Sequence, residues 1–326
     1  MKHISILVPE GAVLASIIDP RYLFTAANDF LEASGRPALF HVQLVGLSRE
    51  VQLQNGLFTV HPELLLHEVE KTDLIFIPAL SGDMRKALEI NKDFIPWISK
   101  HYKNGAEVAS LCVGAFLLAS TGLLSGKSCS THWIHANLFR NMFPDINLVD
   151  DKIITEDHGI YSSGGATSYW NLLLYLIEKF TDREMAIFSS KFFAIEIDRN
   201  SQSSFIMFKG QKEHEDETVK KAQEFIEKNF QDKITVDQLS SMVAVGRRSL
   251  ERRFKKATRN TVTEYIQRVK VEAAKKNFET SRKNINEVMY DVGYSDNKAF
   301  RDVFKRMTGM SPLDYRNKYN KEAMVF

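Results

Sequence analysis

Residues 285–316 read INEVMYDVGYSDNKAFRDVFKRMTGMSPLDYR, and the spacing of their apolar side chains decides the fold of the last third of the chain. Ile285, Val288 and Val292 recur at the period of one helical face. Phe300, Val303 and Phe304 resume that period after a break at Gly293-Tyr294-Ser295. The same plan occurs upstream. Val236, Leu239 and Val243 in TVDQLSSMVAVG (235–246) precede Ile285, Val288 and Val292 by 49 residues. Leu250, Phe254, Lys255, Lys256 and Thr258 precede Phe300, Phe304, Lys305, Arg306 and Thr308 by 50. A repeat of this length points to one supersecondary unit used twice. The one-residue slip falls between the two blocks, where a turn belongs. Each copy therefore reads as an apolar helix, a tight turn with a capping residue (Gly246 in the first, Ser295 in the second) and a basic amphipathic helix. That is the plan of a helix-turn-helix whose second helix enters the major groove.

The outward faces of the two second helices suit that task. The first hides Leu250 and Phe254 and presents Arg247, Arg248, Glu251, Arg252 and Lys255. The second hides Phe300, Val303 and Phe304 and presents Asn297, Lys298, Arg301 and Lys305. Arg forks onto guanine, Asn onto adenine, and Lys more often meets phosphate. The rival is a pair of solvated helices in an ordinary bundle. Charge argues against it. Residues 1–216 carry 19 Lys and Arg against 26 Asp and Glu, a net −7, whereas residues 217–326 carry 24 against 15, a net +9. The whole chain, at +2, conceals an acidic module joined to a polyanion-binding one.

Over about residues 217–320 the chain resembles the AraC/XylS family of regulators. The VGYS turn, the Phe300 and Phe304 pair and the ending TGMSPLDYR carry the likeness. The first copy departs from the family pattern, with Gly246 where Ser is usual and Arg259-Asn260 in place of Gly. Val262–Phe278 resembles the family's rigid connector between its two units. The resemblance implies binding to double-stranded DNA on two successive major-groove faces about one helical turn apart. It also makes RNA polymerase a candidate partner.

Ahead of this lies an α/β pattern. Ile4–Val8, Val42–Leu47, Asp73–Pro78, Glu107–Cys112, Lys152–Glu156 and Ile160–Ser163 read as strands. Helices are expected over Pro20–Ala33, Met84–Tyr102, Ala166–Phe180 and Arg183–Arg199. Near-continuous apolar strands separated by helices predict a flavodoxin-like, mostly parallel sheet covered on both faces. The expected organisation is a sensor domain over 1–208, a polar linker KGQKEHED over 209–216, and an all-α DNA-binding domain over 217–326.

EVASLCVGAFLLASTGLLSGKSCSTHW (107–133) holds the chemical question. An apolar strand runs into Cys112, and Val113-Gly114-Ala115 opens a helix, the arrangement of a nucleophile elbow whose helix N-terminus favours thiolate. His132 follows twenty residues on. Residues 3–200 resemble the class I glutamine amidotransferase-like superfamily in its PfpI-type branch. The whole chain is similar to the subgroup that joins this domain to an AraC-type one. The matching features are CVGAFLLASTGLLSGK, Thr131-His132-Trp133, the Ser162-Ser163-Gly164-Gly165 turn and Arg199-Asn200-Ser201-Gln202-Ser203.

The superfamily's enzymes often place a Glu after the first strand and a glycine-rich oxyanion turn after the third. Here Ser16 stands near the first position and Pro78-Ala79-Leu80-Ser81 at the second. These departures predict a domain that senses rather than catalyses, with Cys112 and His132 vestigial. Its ligand pocket is expected at Glu10, Leu80, Cys112, Val113 and His132. The resemblance implies a small-molecule effector, such as a nitrogen-containing metabolite, or an oxidant, and a homodimer. Rival readings stay open: an active amidase- or deglycase-like cysteine enzyme fused to a DNA-binding domain, a ligand-independent interaction module, or Cys112 as a packed turn residue. No cofactor or metal is expected, since the nine histidines lack ligand spacing. Two cysteines make no disulfide framework, and no signal peptide or spanning run is recognised, so a cytoplasmic location is expected.

Overall fold

The computed structural model describes residues 1–197, 201–212 and 214–320, and the chain divides into two compact units, 1–202 and 203–326. In the first unit, β1 (Lys2–Val8), β2 (Phe40–Gly46), β6 (Leu74–Ile77), β7 (Glu107–Ser110) and β11 (Ile160–Ser163) form the centre of a seven-stranded sheet. The strand order is β10-β11-β7-β6-β1-β2-β5, where β5 is Leu64–Leu65 and β10 is Ile154–Asp157. Every pairing in it is parallel except β10 with β11. The reason is visible in single strands. Ile4, Ile6 and Val8 point into one buried cluster with helices α1 (Ala15–Ala33), α6 (Tyr169–Phe180) and α7 (Arg183–Phe192). Leu7 points into the opposite cluster with α2 (Met84–Ile90), α3 (Phe94–Lys103), α4 (Ala115–Ser120) and α5 (Ala136–Met142). A strand buried on both faces is rich in apolar residues, as Leu74–Ile77 is throughout and Ile4–Val8 is apart from Ser5.

Three expectations change. The helix expected over Met84–Tyr102 is two, α2 and α3, because Asn91 closes the first and its side chain binds the Glu10 backbone. The helix expected to reach Arg199 ends at Phe192, and Ala194 takes φ +54°. Arg199 and Asn200 lie outside the described residues. Two short pairs were not expected: the hairpin of β3 (Val51–Leu53) with β4 (Phe58–Val60), and β8 (Ser128–Cys129) with β9 (Asn147–Leu148).

The second unit is helical: α8 (Glu217–Lys228), α9 (Val236–Met242), α10 (Arg247–Thr258), α11 (Val262–Thr280), α12 (Ile285–Asp291), α13 (Asn297–Thr308) and α14 (Pro312–Tyr319). It has two cores. Leu239, Leu250, Phe254 and Tyr265 centre one, and Phe278, Val288, Phe300, Phe304 and Tyr315 the other. Helix α11 feeds both and runs two residues past its expected end; it starts on a capping box between Thr261 and Glu264.

The expected boundary after residue 208 moves to Gln202/Ser203, and the expected linker packs on the helical unit. The Phe208 ring lies edge-on to Tyr265, the Phe208 N–H donates to Glu272, and Gln223 Nε2 donates to the Gln211 carbonyl. A polar stretch reads as a linker when its partners are remote in sequence.

The cap of the second copy is also corrected. Asp296, not Ser295, caps α13, accepting the Ala299 N–H at 2.6 Å, while Gly246 caps α10 as expected. With Asp296 matched to Gly246, both second helices align at a spacing of 50, and the slip lies wholly inside the turn. The turns share their first bend, left-handed at Ala244 (φ +54°) and at Gly293 (φ +74°). Alanine costs about 1 kcal/mol in that conformation, so the first copy carries strain the second avoids.

Candidate functional site

Each second helix buries one stripe and frees the rest. On α10, Leu250 and Phe254 are fully buried, Arg247, Arg248, Arg252 and Lys255 are exposed and Glu251 is half-buried. Arg247 is held by Asp237 at 3.0 Å and Glu251 at 3.4 Å, and Lys255 lies 3.6 Å from Glu264. On α13, Lys298, Arg301 and Lys305 are exposed, and half-buried Asn297 donates to Asn286 at 2.8 Å. Among the described residues Arg248, Arg252, Lys298, Arg301 and Lys305 have no ion-pair partner, so five cations face solvent uncompensated. Arg253 shows the contrast. It grips Asp216, the cap of α8, through bonds of 2.8 and 2.6 Å, which hold the Asp216 carboxyl below its usual range. Its position on the helix gives no sequence signal for this, because the partner lies 37 residues away.

In the α/β unit the elbow forms as expected. Cys112 stands between β7 and α4 at φ +53°. Its N–H donates to Ser163 Oγ at 3.3 Å, and its carbonyl accepts from Thr131 Oγ1 at 3.1 Å. A Cβ on Gly114 would lie 2.6 Å from the Ile77 carbonyl oxygen and 2.5 Å from that of Pro78, so only glycine lets the turn close on β6.

The surroundings do not arm the thiol. Cys112 is 6% exposed, and burial pushes its thiol up to about 12, against the pull of the Val113 N–H. The expected thiolate is therefore not favoured, since desolvation outweighs the helix terminus. His132 does not bond to Cys112. It caps the short turn Trp133–His135, its Nδ1 accepting the Ile134 N–H at 3.1 Å, and burial lowers its pKa. Ser16, fully buried, donates to the Val13 carbonyl at 2.6 Å and accepts the Ala79 N–H at 2.9 Å. The Ser81 N–H donates to the Gly11 carbonyl at 2.9 Å. Two of the three N–H groups of the turn, those of Ala79 and Ser81, are thus committed inside the protein.

The expected pocket residues are only partly brought together. Leu80, Cys112 and Val113 share one buried cluster and are 2–6% exposed, whereas Glu10 is exposed and His132 half-buried. A further polar group carries no local sequence signal. Asp19, one turn beyond Ser16 on α1, accepts from Tyr169 Oη at 2.6 Å and Trp170 Nε1 at 3.0 Å. The Trp170 ring packs on Phe193 at 4.9 Å, and exposed Tyr22 meets Phe193 at 5.1 Å. Among the described residues no three His, Cys, Asp or Glu side chains form a metal site, and no helix is long and apolar enough to cross a membrane.

Buried thiols with raised pKa should be sluggish. At about pH 8, folded Cys112 and Cys129, both pushed up to about 12, carry roughly a thousandfold less thiolate than an ordinary cysteine. Alkylation by iodoacetamide, followed by peptide mass analysis, should be slower by that order than in the urea-unfolded chain. An equal rate at Cys112 would mean an accessible thiol of ordinary pKa, and a faster one an armed thiol.

Comparison with known proteins agrees with both halves. The profile of the DJ-1/PfpI family matches residues 2–179, and that of a helix-turn-helix domain matches residues 239–318. The HTH-type transcriptional regulator GbdR of Pseudomonas aeruginosa is 25% identical over 305 residues, covering 93% of this chain and 80% of its own. A crystal structure from Vibrio parahaemolyticus, described as that of a transcriptional regulator, superposes with a TM-score of 0.53 at 25% identity, over 59% of this chain and 98% of that one. A THiJ/PfpI family protein of Pseudomonas syringae, at 13% identity, shares the fold with a TM-score of 0.50 over 81% of this chain and 90% of its own. The chain belongs to the DJ-1/PfpI family, and it joins that fold to a helix-turn-helix domain of the AraC type.

Proposed function

We propose that this chain is a DNA-binding transcription regulator whose α/β unit senses a small metabolite and does not turn it over. The observation that carries the DNA half is the pair of second helices, α10 and α13, with Arg248, Arg252, Lys298, Arg301 and Lys305 exposed and unpaired. Uncompensated cations at helical spacing on two like units suit a polyanion with a repeating groove. Arg247, Glu251, Lys255 and Asn297 flank them, already engaged with protein partners that they exchange for DNA.

The sensing half is supported by what the elbow retains and what it lacks. The strained turn at Cys112 persists, but its thiol is protonated, His132 is turned to another task, and the Ala79 N–H is taken by Ser16. The effector is a nitrogen-containing metabolite. A half-buried carboxylate at Asp19, held by hydrogen bonds from Tyr169 and Trp170, offers a counter-charge to such a molecule. The regulator is cytoplasmic and works as a homodimer, with RNA polymerase as the partner at the promoter.

The test is base reading. Sites selected from random duplexes by the wild-type chain are re-measured with Arg248→Ala and Arg301→Ala. Each should cost about 1–3 kcal/mol at the selected site and relax preference at a few base pairs. Lys255→Ala should weaken selected and random DNA alike. Equal losses on both kinds of DNA for all three variants would remove α10 and α13 as reading elements.

A further inference from the structure

The helical unit has two cores, and besides α11 and the Phe230 side chain, which packs against the second core from the loop before α9, a buried charge joins them. Along α11, Val262 and Tyr265 belong to the first core, and Val271, Ala274 and Phe278 to the second. Lys270 stands at the crossing point and is only 7% exposed. A lysine buried to this degree is unusual without partners. Its Nζ donates to the Gly293 carbonyl at 3.1 Å and to the Asp232 carbonyl at 3.5 Å. It also sits over the Tyr294 ring, 5.3 Å from its centre. Gly293 and Tyr294 form the turn of the second helix-turn-helix, whereas Asp232 lies in the loop that leads into α9 of the first.

The backbones of the two units meet at the same place. A Cβ on Gly293 would lie 2.0 Å from the Gln231 carbonyl oxygen and 2.7 Å from Lys270 Nζ. The turn of one reading unit therefore rests directly on the entry loop of the other, and the ammonium ties a carbonyl from each. Beyond α11 itself, Phe230 packs across the seam from the loop before α9, the segment 203–208 touches both α13 and Tyr265, and Arg306 donates to Gln267 at 2.8 Å; Lys270 adds a buried ammonium to these contacts. A single helix bends and twists about its axis, so a second fixed point is needed to set the angle between α10 and α13.

We infer that Lys270 is a positioning residue that sets the spacing of the two DNA segments this chain reads, by locking the second helix-turn-helix turn onto the loop that enters the first. It touches no base and no phosphate. It acts through the orientation of α13 relative to α10. This rests on the DNA-binding reading above.

The experiment uses the full chain and duplexes with about 30 randomised base pairs, long enough for two half-motifs one helical turn apart. Wild type is expected to enrich two half-motifs at one separation. One inserted base pair, which rotates the second half-motif by roughly 35° and moves it about 3.4 Å, should then cost wild type at least about tenfold in Kd. Lys270→Met keeps the length and apolar stem and removes the ammonium. It should enrich the same two half-motifs at two or more separations, with the insertion penalty falling below about threefold. Gly293→Ala wedges the same seam from the other side and should shift the preferred separation. A single unchanged separation in Lys270→Met overturns the inference. So does loss of either half-motif in that variant, which would make Lys270 a support of one fold and not a spacer. If wild type enriches no motif at all, the DNA-reading proposal fails instead.

Discussion

Raising salt from about 50 to about 200 mM is expected to weaken duplex binding by this chain roughly 10³-fold. The figure follows from the cations on α10 and α13. Arg252, Lys298 and Lys305 are exposed and unpaired, and Arg247 and Lys255 exchange their carboxylate partners for phosphate, while Arg248 and Arg301 are kept for bases. Five or six phosphate contacts give a slope of about −5 in log affinity against log salt, because each neutralised phosphate releases a condensed counterion. The net +9 of residues 217–326 raises the encounter rate, but the slope counts only charges that reach the backbone. Fluorescence anisotropy on a labelled duplex across a salt series measures it. A slope near zero would mean that these residues face something other than DNA. A slope much steeper than −5 would require cations beyond those five, such as Lys256 and Arg306 on the same helices.

Phe304→Ala is expected to cost about 3–5 kcal/mol and to unfold the second helix-turn-helix while the first survives. Phe304 is fully buried and is the hub of its core, with ring contacts to Phe278 at 5.6 Å, Phe300 at 5.8 Å and Tyr315 at 5.5 Å. The second core contains ten buried residues, so there is little apolar area left to absorb the cavity. The first core shares none of them, since it is built on Leu239, Leu250, Phe254 and Tyr265. Hydrogen exchange should therefore show protection lost over 285–319 and kept over 236–258. A uniform loss across both segments would mean that the two cores fold as one cooperative body. Full protection throughout would mean that the cavity is tolerated.

Much of this protein was legible along the chain. The repeat of Val236, Leu239, Leu250 and Phe254 in Ile285, Val288, Phe300 and Phe304 identified two like units, because helical period and burial are properties of consecutive residues. The elbow at Cys112 was legible for the same reason, since strand, turn and helix are adjacent in sequence. Every arginine and lysine expected on the outward faces of α10 and α13 is exposed, because helical period alone decides which face is buried.

What was not legible is what remote partners do to a residue. Ser295 and Asp296 are both capping residues by type, and only the backbone path decided that Asp296 accepts the Ala299 N–H. The segment 209–216 looks like a linker until Gln211 meets Gln223 and Asp216 meets Arg253. Cys112 at the head of a helix suggests a thiolate, but the state of a thiol depends on how much water reaches it, and burial won. Lys270 and Asp19 carry no local signal, because a buried lysine and a solvated one are the same letter. The sequence by itself determined the two kinds of unit, their repeat and their charge, all of which depend on local period and composition. Tertiary structure alone decided which polar groups are already satisfied, because hydrogen bonds and desolvation depend on neighbours that the chain brings together only when it folds.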